Sequence, residues 1–332
     1  MIYLTQEENG KGRAYGFDNM RAFLIACVVV GHLLEICPNF PGRDLMYRVI
    51  YSFHIPALLF LTGYFGKFQP RQLFRGLIVP YFLLQTLYLL FAQHALGVRL
   101  TMQYTTPYWL LWYLPVCLYC KLLIPLLDTQ SKKQQLIILL LAVVVALLAG
   151  YDRTVGYYLS LSRFLVFLPW FVLGYYCRKH QGRLLALLAR YRWPLAAVFG
   201  ATACLSMVLL ANSHFPKDVL YGSYPYATLG YDAALRGVLM LPALFWIGLL
   251  LCLFTGPLNR RIFAVSALGR NTLPVFLLHG FAVRLVAYKF PWLMGSPWAI
   301  LWIGAGILLL LGNDFVGELF RLLFGGRKGK GT

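Results

Sequence analysis

The sequence predicts an all-α fold: a polytopic membrane bundle of about ten spanning helices, with both termini in the cytoplasm. Three observations predict it. Hydrophobic residues make up 60% of the 332 and charged residues only 12%, more apolar surface than a soluble chain of this length can bury. Apolar runs of about 20 residues, the length that crosses a bilayer, recur from end to end. Lys and Arg concentrate in alternate connections between those runs.

The expected spans are 17–34, 49–66, 73–96, 107–127, 134–150, 157–176, 193–212, 235–255, 272–288 and 298–316. The first follows a polar start and lacks a small-residue cleavage site, so it is read as a helix that stays. The second carries His54 and Pro56. The third follows Arg71 and Arg75 and contains Pro80. The fourth opens on Tyr108 and Trp109 and contains Pro115. Its Cys117-x-x-Cys120 spacing lies in an apolar run without a polar loop, so thiols are expected rather than a metal or redox centre. The fifth is short. The sixth carries Arg163 near its outer end and Pro169. The seventh opens on Trp193, the eighth contains Pro242, and the ninth carries Pro274 and His279. Asn313 and Asp314 interrupt the last. Prolines inside spans are tolerated where neighbouring helices satisfy the freed carbonyls. Tyr108, Trp109, Trp193, Trp292 and Trp298 fit an interfacial aromatic belt. The whole chain, 1–332, is expected to be one membrane-embedded domain, with a short N-terminal segment 1–16 and a basic tail 325–332 near anionic lipid.

Orientation follows from the basic residues. One set of connections carries Lys11, Arg13, Lys67, Arg71, Arg75, Lys132, Lys133, Arg178, Lys179, Arg183, Arg190, Arg192, Arg260, Arg261, Arg270, Arg321, Arg327, Lys328 and Lys330. The alternate set carries fewer, among them Arg43, Arg48, Arg99, Arg153, Lys217 and Lys289. The richer set faces the cytoplasm. This distribution accounts for the formal charge of +19 without a nucleic-acid partner.

The first span poses the chemical question. "FDNMRAFLIACVVVGHLLE" is apolar enough for a bilayer yet carries Asp18, Arg21, His32 and Glu35. Each charge at depth costs about 2.5–3.5 kcal/mol, so such groups face a bundle interior or a wet cavity. Arg21 and His32 point within about 20° of each other and lie about 16 Å apart along a helix. Asp18 and Glu35, each three residues away, share that stripe. A cation at the cytosolic mouth and an imidazole deep in the membrane suit a long anionic molecule coming from the cytosol. Arg recognises phosphate through its planar fork, and a neutral His takes a proton from a hydroxyl. His54, His279 and Arg163 lie in other spans, and Arg71 and Arg75 stand at the cytosolic start of the third. Together they suggest a polar tunnel or paired cavities.

Several motifs then carry a resemblance. Asp18, Arg21 and His32 fit an Asp, Arg and deeper His in a first helix. "FHIPALLFLTGYF", "RGLIVPY", "WYLPVCL", "SRFLVFLPWFVLGYYC" and "NTLPVFLLH" follow in order over nearly the whole chain. The chain resembles the acyltransferase 3 family of integral-membrane O-acyltransferases, and within it the fucose 4-O-acetylase-like sugar O-acetyltransferases. The resemblance implies transfer of an acyl group, usually acetyl from acetyl-CoA, to a hydroxyl of a sugar or glycan on the far side of the membrane, which in some cases is lipid-linked. It implies that His32 is the catalytic base or acyl relay and that Arg21 belongs to the active site; Asp18 and Glu35, on the same stripe, join them as catalytic candidates, Glu35 as the carboxylate that sets the His32 tautomer or opposes its shift. It implies that Arg71 and Arg75, with Arg21, hold the CoA. The family's Arg-x-x-Arg pair has Gln72 at its first position here, and Arg71 stands one residue earlier. The acceptor side falls to His54, Arg163, His279 and Asn271. No metal is expected, and the location implied is a cell membrane, the inner membrane of a bacterium. Two other classes fit some of the same residues: a transporter or flippase for a lipid-linked sugar, which would leave the thioester intact, and a non-catalytic module that anchors a partner.

Overall fold

The structure is a computed structural model describing residues 15–212 and 214–325. The expected N-terminal segment, all but its last two residues, and nearly all of the basic tail, with Lys11, Arg13, Arg327, Lys328 and Lys330, lie outside the described residues. Helices dominate, and no strand occurs among the described residues. In chain order the main helices are α1 (Tyr15–Ile36), α2 (Arg43–Tyr64), α3 (Pro70–His94), α4 (Trp109–Leu122), α5 (Lys132–Leu148) and α6 (Leu161–Lys179). They continue as α7 (Gln181–Ala211), α8 (Ala233–Phe254), α9 (Phe263–Arg270), α10 (Thr272–Lys289), α11 (Trp298–Leu311) and α12 (Asp314–Phe324).

A helix coincides with each expected span, but the count of ten is not reached. Six helices among the described residues are long and apolar enough to cross a membrane, or eight if each bent pair is one span. The fourth expected span, 107–127, breaks up: α4 opens with a 3-10 turn, and a separate short helix, Ile124–Leu127, restarts at Pro125. Proline supplies no N–H and disfavours helical backbone in the residue before it. The seventh runs longer than expected because helix-forming residues continue back to Gln181, with a local kink at Tyr191 three residues before Pro194. The pairs α9–α10 and α11–α12 bend by 85° and 54°. Many spans show apolar side chains to their surroundings. On α5, Leu136, Leu140, Val144 and Leu148 form one exposed stripe four residues apart. Such stripes suit lipid and would be unfavourable in water.

The chain divides into two compact units. The first, residues 1–38, 68–118 and 261–332, packs α9, α10 and α11 against α1. α9 approaches α1 at Gly269, where an added Cβ would stand 1.8 Å from the Asp18 carbonyl oxygen. Beside it the Ser266 hydroxyl donates to Asn19 Oδ1 at 2.8 Å. In α3 the ladder widens into a π turn at Phe74–Ile78, just before Pro80. The second unit, residues 39–67 and 119–260, is organised on α2 and α6. Two glycines let these backbones touch: a Cβ at Gly63 would lie 2.0 Å from Phe171 O, and one at Gly174 would lie 2.0 Å from Phe60 O.

Candidate active site

The first unit brings three of the expected residues together. α1 carries two i,i+3 pairs, as its stripe requires. Arg21 Nη1 donates to Asp18 Oδ1 at 3.0 Å, both side chains buried near the start of the helix. Near its end, His32 Nδ1 faces Glu35 Oε1 at 3.4 Å. His279, from α10, stacks on His32 with ring centroids 5.3 Å apart and planes 28° apart. It is completely buried, and its Nδ1 donates to the Val275 carbonyl at 2.8 Å.

Two residues at this site were not expected there. Trp109, assigned from the sequence to an interfacial belt, meets His32 edge-on at 4.6 Å. The Arg284 guanidinium lies over the other part of the cluster, 4.2 Å from the Trp109 ring centroid. Trp109 has φ +41, a left-handed backbone that costs a bulky residue about 1–3 kcal/mol. The loop before it holds it in place. Gln85, fully buried on α3, donates to Gln103 O at 2.8 Å and Thr106 O at 3.1 Å and accepts from Tyr108 N at 2.8 Å. Tyr88 on the same helix donates to Leu277 O at 2.8 Å, which ties α3 to α10. Arg284 had a sequence signal: it is a cation inside an expected span, five residues after His279.

Other expected residues stand elsewhere. Asn271 sits at the α9–α10 corner, where its amide donates to Gly312 O at 3.3 Å and Asp314 Oδ1 at 2.8 Å. His279 is eight residues further on, about 12 Å along the helix. Arg270 also reaches Asp314, at 2.9 Å. Arg71 and Arg75 are both exposed, Arg75 in the π turn of α3, and such turns often accompany functional sites. Among the described residues no three His, Cys, Asp or Glu side chains cluster to hold a metal.

His54 and Arg163 belong to the second unit. His54 Nδ1 donates to Ile50 O at 2.6 Å, and Tyr51 meets its ring edge-on at 4.9 Å. Arg163 donates from Nε to Tyr221 O at 3.2 Å and from Nη2 to Ser223 Oγ at 3.4 Å, and lies over Tyr157 at 4.9 Å. Ser162 adds a 2.9 Å bond to Gly222 O. The residues just before them, Leu159 and Ser160, have φ +48 and +59. These bonds clamp the 221–223 loop onto α6. The Tyr157 side chain and burial push the Tyr224 phenol up to about 12.

The family model for an acyltransferase domain, acyltransferase 3, matches residues 14–312. The chain belongs to the acyltransferase 3 family. No curated protein and no solved structure matches it. As an acyltransferase 3 member with these apolar helices, it is a multi-pass integral membrane acyltransferase, and a transporter is not favoured. The acyltransferase 3 match spans both compact units, so it includes His32 and His279 as well as His54 and Arg163.

Proposed function

We propose that this acyltransferase moves an acyl group, acetyl from acetyl-CoA, from the cytosol to a hydroxyl of an extracytoplasmic sugar or glycan, with His32 as the base. The observation that carries the reading is the His32–Glu35 pair with His279 stacked on it. Glu35 fixes the ring proton on Nδ1 and His32 Nε2 takes the acceptor's hydroxyl proton. The oxygen attacks the thioester carbonyl, the C–S bond breaks, and the thiolate leaves with the proton from the imidazolium. Glu35 stabilises that imidazolium while it exists.

The remaining assignments complete the proposal. Both termini, Asp18 and Arg21 lie in or near the cytoplasm in this reading, which the bias of Lys and Arg among the connections supports. Arg71 and Arg75, both exposed, bind the CoA phosphates there together with Arg21, which is buried beside Asp18. His54, Arg163, His279 and Asn271, polar groups within or beside the expected spans, serve the acceptor side. The chain acts as one domain in a plasma membrane, the inner membrane of a bacterium. The test uses purified protein in lipid nanodiscs with radiolabelled acetyl-CoA. Arg75→Ala should weaken binding about tenfold or more, the worth of a charge-assisted hydrogen bond. His32→Ala should abolish turnover and leave binding intact. Full turnover by His32→Ala would end the assignment of His32 as the base.

A further inference from the structure

Arg236 is a buried cation held by neutral groups. It sits in the first turn of α8 and is 5% exposed. A guanidinium in a protein keeps its charge. Nη1 donates to the Ala146 carbonyl at 3.0 Å and Nη2 to the Tyr231 hydroxyl, which leaves further N–H donors. The rings of Tyr226 and Tyr231 lie 4.5 Å and 5.5 Å from the guanidinium carbon, and their faces attract a cation. Two helix ends act in opposite senses. Ala146 belongs to the last turn of α5, which is partly negative, while the first turn of α8 is partly positive and favours an anion. Among the described residues no Asp or Glu forms an ion pair with Arg236. Asp232, one turn earlier, is exposed and accepts from Leu235 N as the cap of α8. Buried charges are ordinarily paired, so an anion belongs beside this one.

The second unit has a place for it. Arg236 lines a cavity whose other walls include Ser52, Tyr51, Trp170, Phe167 and Met240, and the cavity is open to the surface. Gly222, in the loop that Arg163 clamps, forms part of the wall, and Tyr51 is the residue that meets His54 edge-on. The free space is about 50 Å³. One water takes about 10–15 Å³ on that measure, so the space suits a group of about three to five heavy atoms. A carboxylate with the carbon that bears it is a group of this size. Its single charge matches the single guanidinium, and its two oxygens match the planar fork. A phosphate brings more charge and more oxygens than one guanidinium meets, and the rest of the wall is largely apolar. A whole sugar ring is too large for the space, so the ring stays outside and only an acidic arm enters.

We infer that this cavity binds a carboxylate paired with Arg236, and that the carboxylate belongs to the acceptor, a sugar of the uronic-acid class. The second half rests on the reading of the chain as a transferase to a sugar hydroxyl. It adds the chemical class of that sugar and gives Arg236 a substrate contact.

The experiment uses the full chain in nanodiscs. Saturation-transfer NMR titrations compare methyl glucuronoside, methyl glucoside and acetate. The wild type should bind the glucuronoside about tenfold or more tightly than the glucoside, the worth of a charge-assisted hydrogen bond. Acetate, which lacks the ring, should bind more weakly than the glucuronoside. Arg236→Gln keeps an N–H donor but loses the charge, and should bind both glycosides alike. Ala243→Leu thickens the cavity wall, leaves Arg236 and its bonds in place, and should lose the preference too; it decides alone if Arg236→Gln does not fold. An Arg236 that only ties α8 to α5 would lower the thermal midpoint of Arg236→Gln and leave the preference untouched. Equal binding of the two glycosides by the wild type, binding of neither, or a preference intact in either variant would overturn the inference. Acetate binding as tightly as the glucuronoside would overturn the sugar and make this a site for free carboxylates. A glucuronoside preference without thioester turnover would defeat the proposed function and leave the carboxylate site standing. Turnover onto the glucuronoside that needs His32 but is indifferent to Arg236→Gln would do the reverse.

Discussion

Replacing Glu35 with Gln isolates one electrostatic contribution to turnover. The substitution keeps the size of the side chain and a hydrogen-bond acceptor near His32 Nδ1 but removes the charge. The contact is 3.4 Å. Two unit charges at that distance interact by about 5 kcal/mol at an effective dielectric of 20 and about 1 kcal/mol in bulk water. The Glu35 side chain is 25% exposed, so solvent screens part of the interaction. A loss of about 2–3 kcal/mol is expected, and only while His32 carries the proton. At 1.36 kcal/mol per decade this lowers kcat by about 30- to 150-fold. Because the charge pair forms only as His32 takes the proton, kcat and kcat/KM should fall together and the KM for acetyl-CoA should stay put. Glu35→Asp, with a shorter reach to the ring, should fall between the two. The assay is release of labelled CoA product under saturating donor. A Glu35→Gln enzyme within threefold of wild type would refute the argument that this carboxylate stabilises the imidazolium.

Three further outcomes follow from the packing. Gly269→Ala puts a methyl group 1.8 Å from the Asp18 carbonyl and should cost about 1–3 kcal/mol, read as a fall in the thermal midpoint in detergent; an unchanged midpoint contradicts the close approach of α9 to α1. Gln85→Leu removes three hydrogen bonds to the 103–108 loop, leaves their partners unpaired, and should lower both stability and turnover by freeing Trp109, whereas a fully active variant would show that Trp109 is held by other contacts. Asp152 accepts from the backbone of Val155 and Thr154, and these bonds hold its carboxyl below the usual range. A depressed carboxylate adds order above its unfolded pKa and loses it as pH falls through the lower folded value. Pepsin cleavage in 150–157 should therefore increase below about pH 4 in the wild type and be elevated at every pH in Asp152→Ala.

Much of the first helix was legible because residue spacing on a single element fixes which side chains share a face. Spacing alone placed Asp18 with Arg21, His32 with Glu35, and both pairs on one stripe. The apolar runs also marked where helices lie. Their number was harder, because a run of apolar residues does not say whether a proline breaks it, as at Pro125, or whether a helix continues past it, as α7 does back to Gln181. Asn313 looks like a helix interruption in sequence, and there it caps α12 by accepting from Val316 N, whereas the corner at Asn271 is held by an amide that reaches Gly312 O and Asp314 some 40 residues away. Trp109 and Gln85 were out of reach for a different reason. Their roles depend on a loop folding back onto α3, a pairing some 20 residues apart that no local pattern encodes. Arg284 was readable as an intramembrane cation, but its partner, the face of Trp109, was not.

The most direct test of the central claim is consumption of the thioester by the full chain in nanodiscs, wild type beside His32→Ala, with acetyl-CoA binding measured on the same samples. The account predicts that both proteins bind the donor and that only the wild type consumes it. Equal consumption by both, or none by the wild type despite binding, would contradict it.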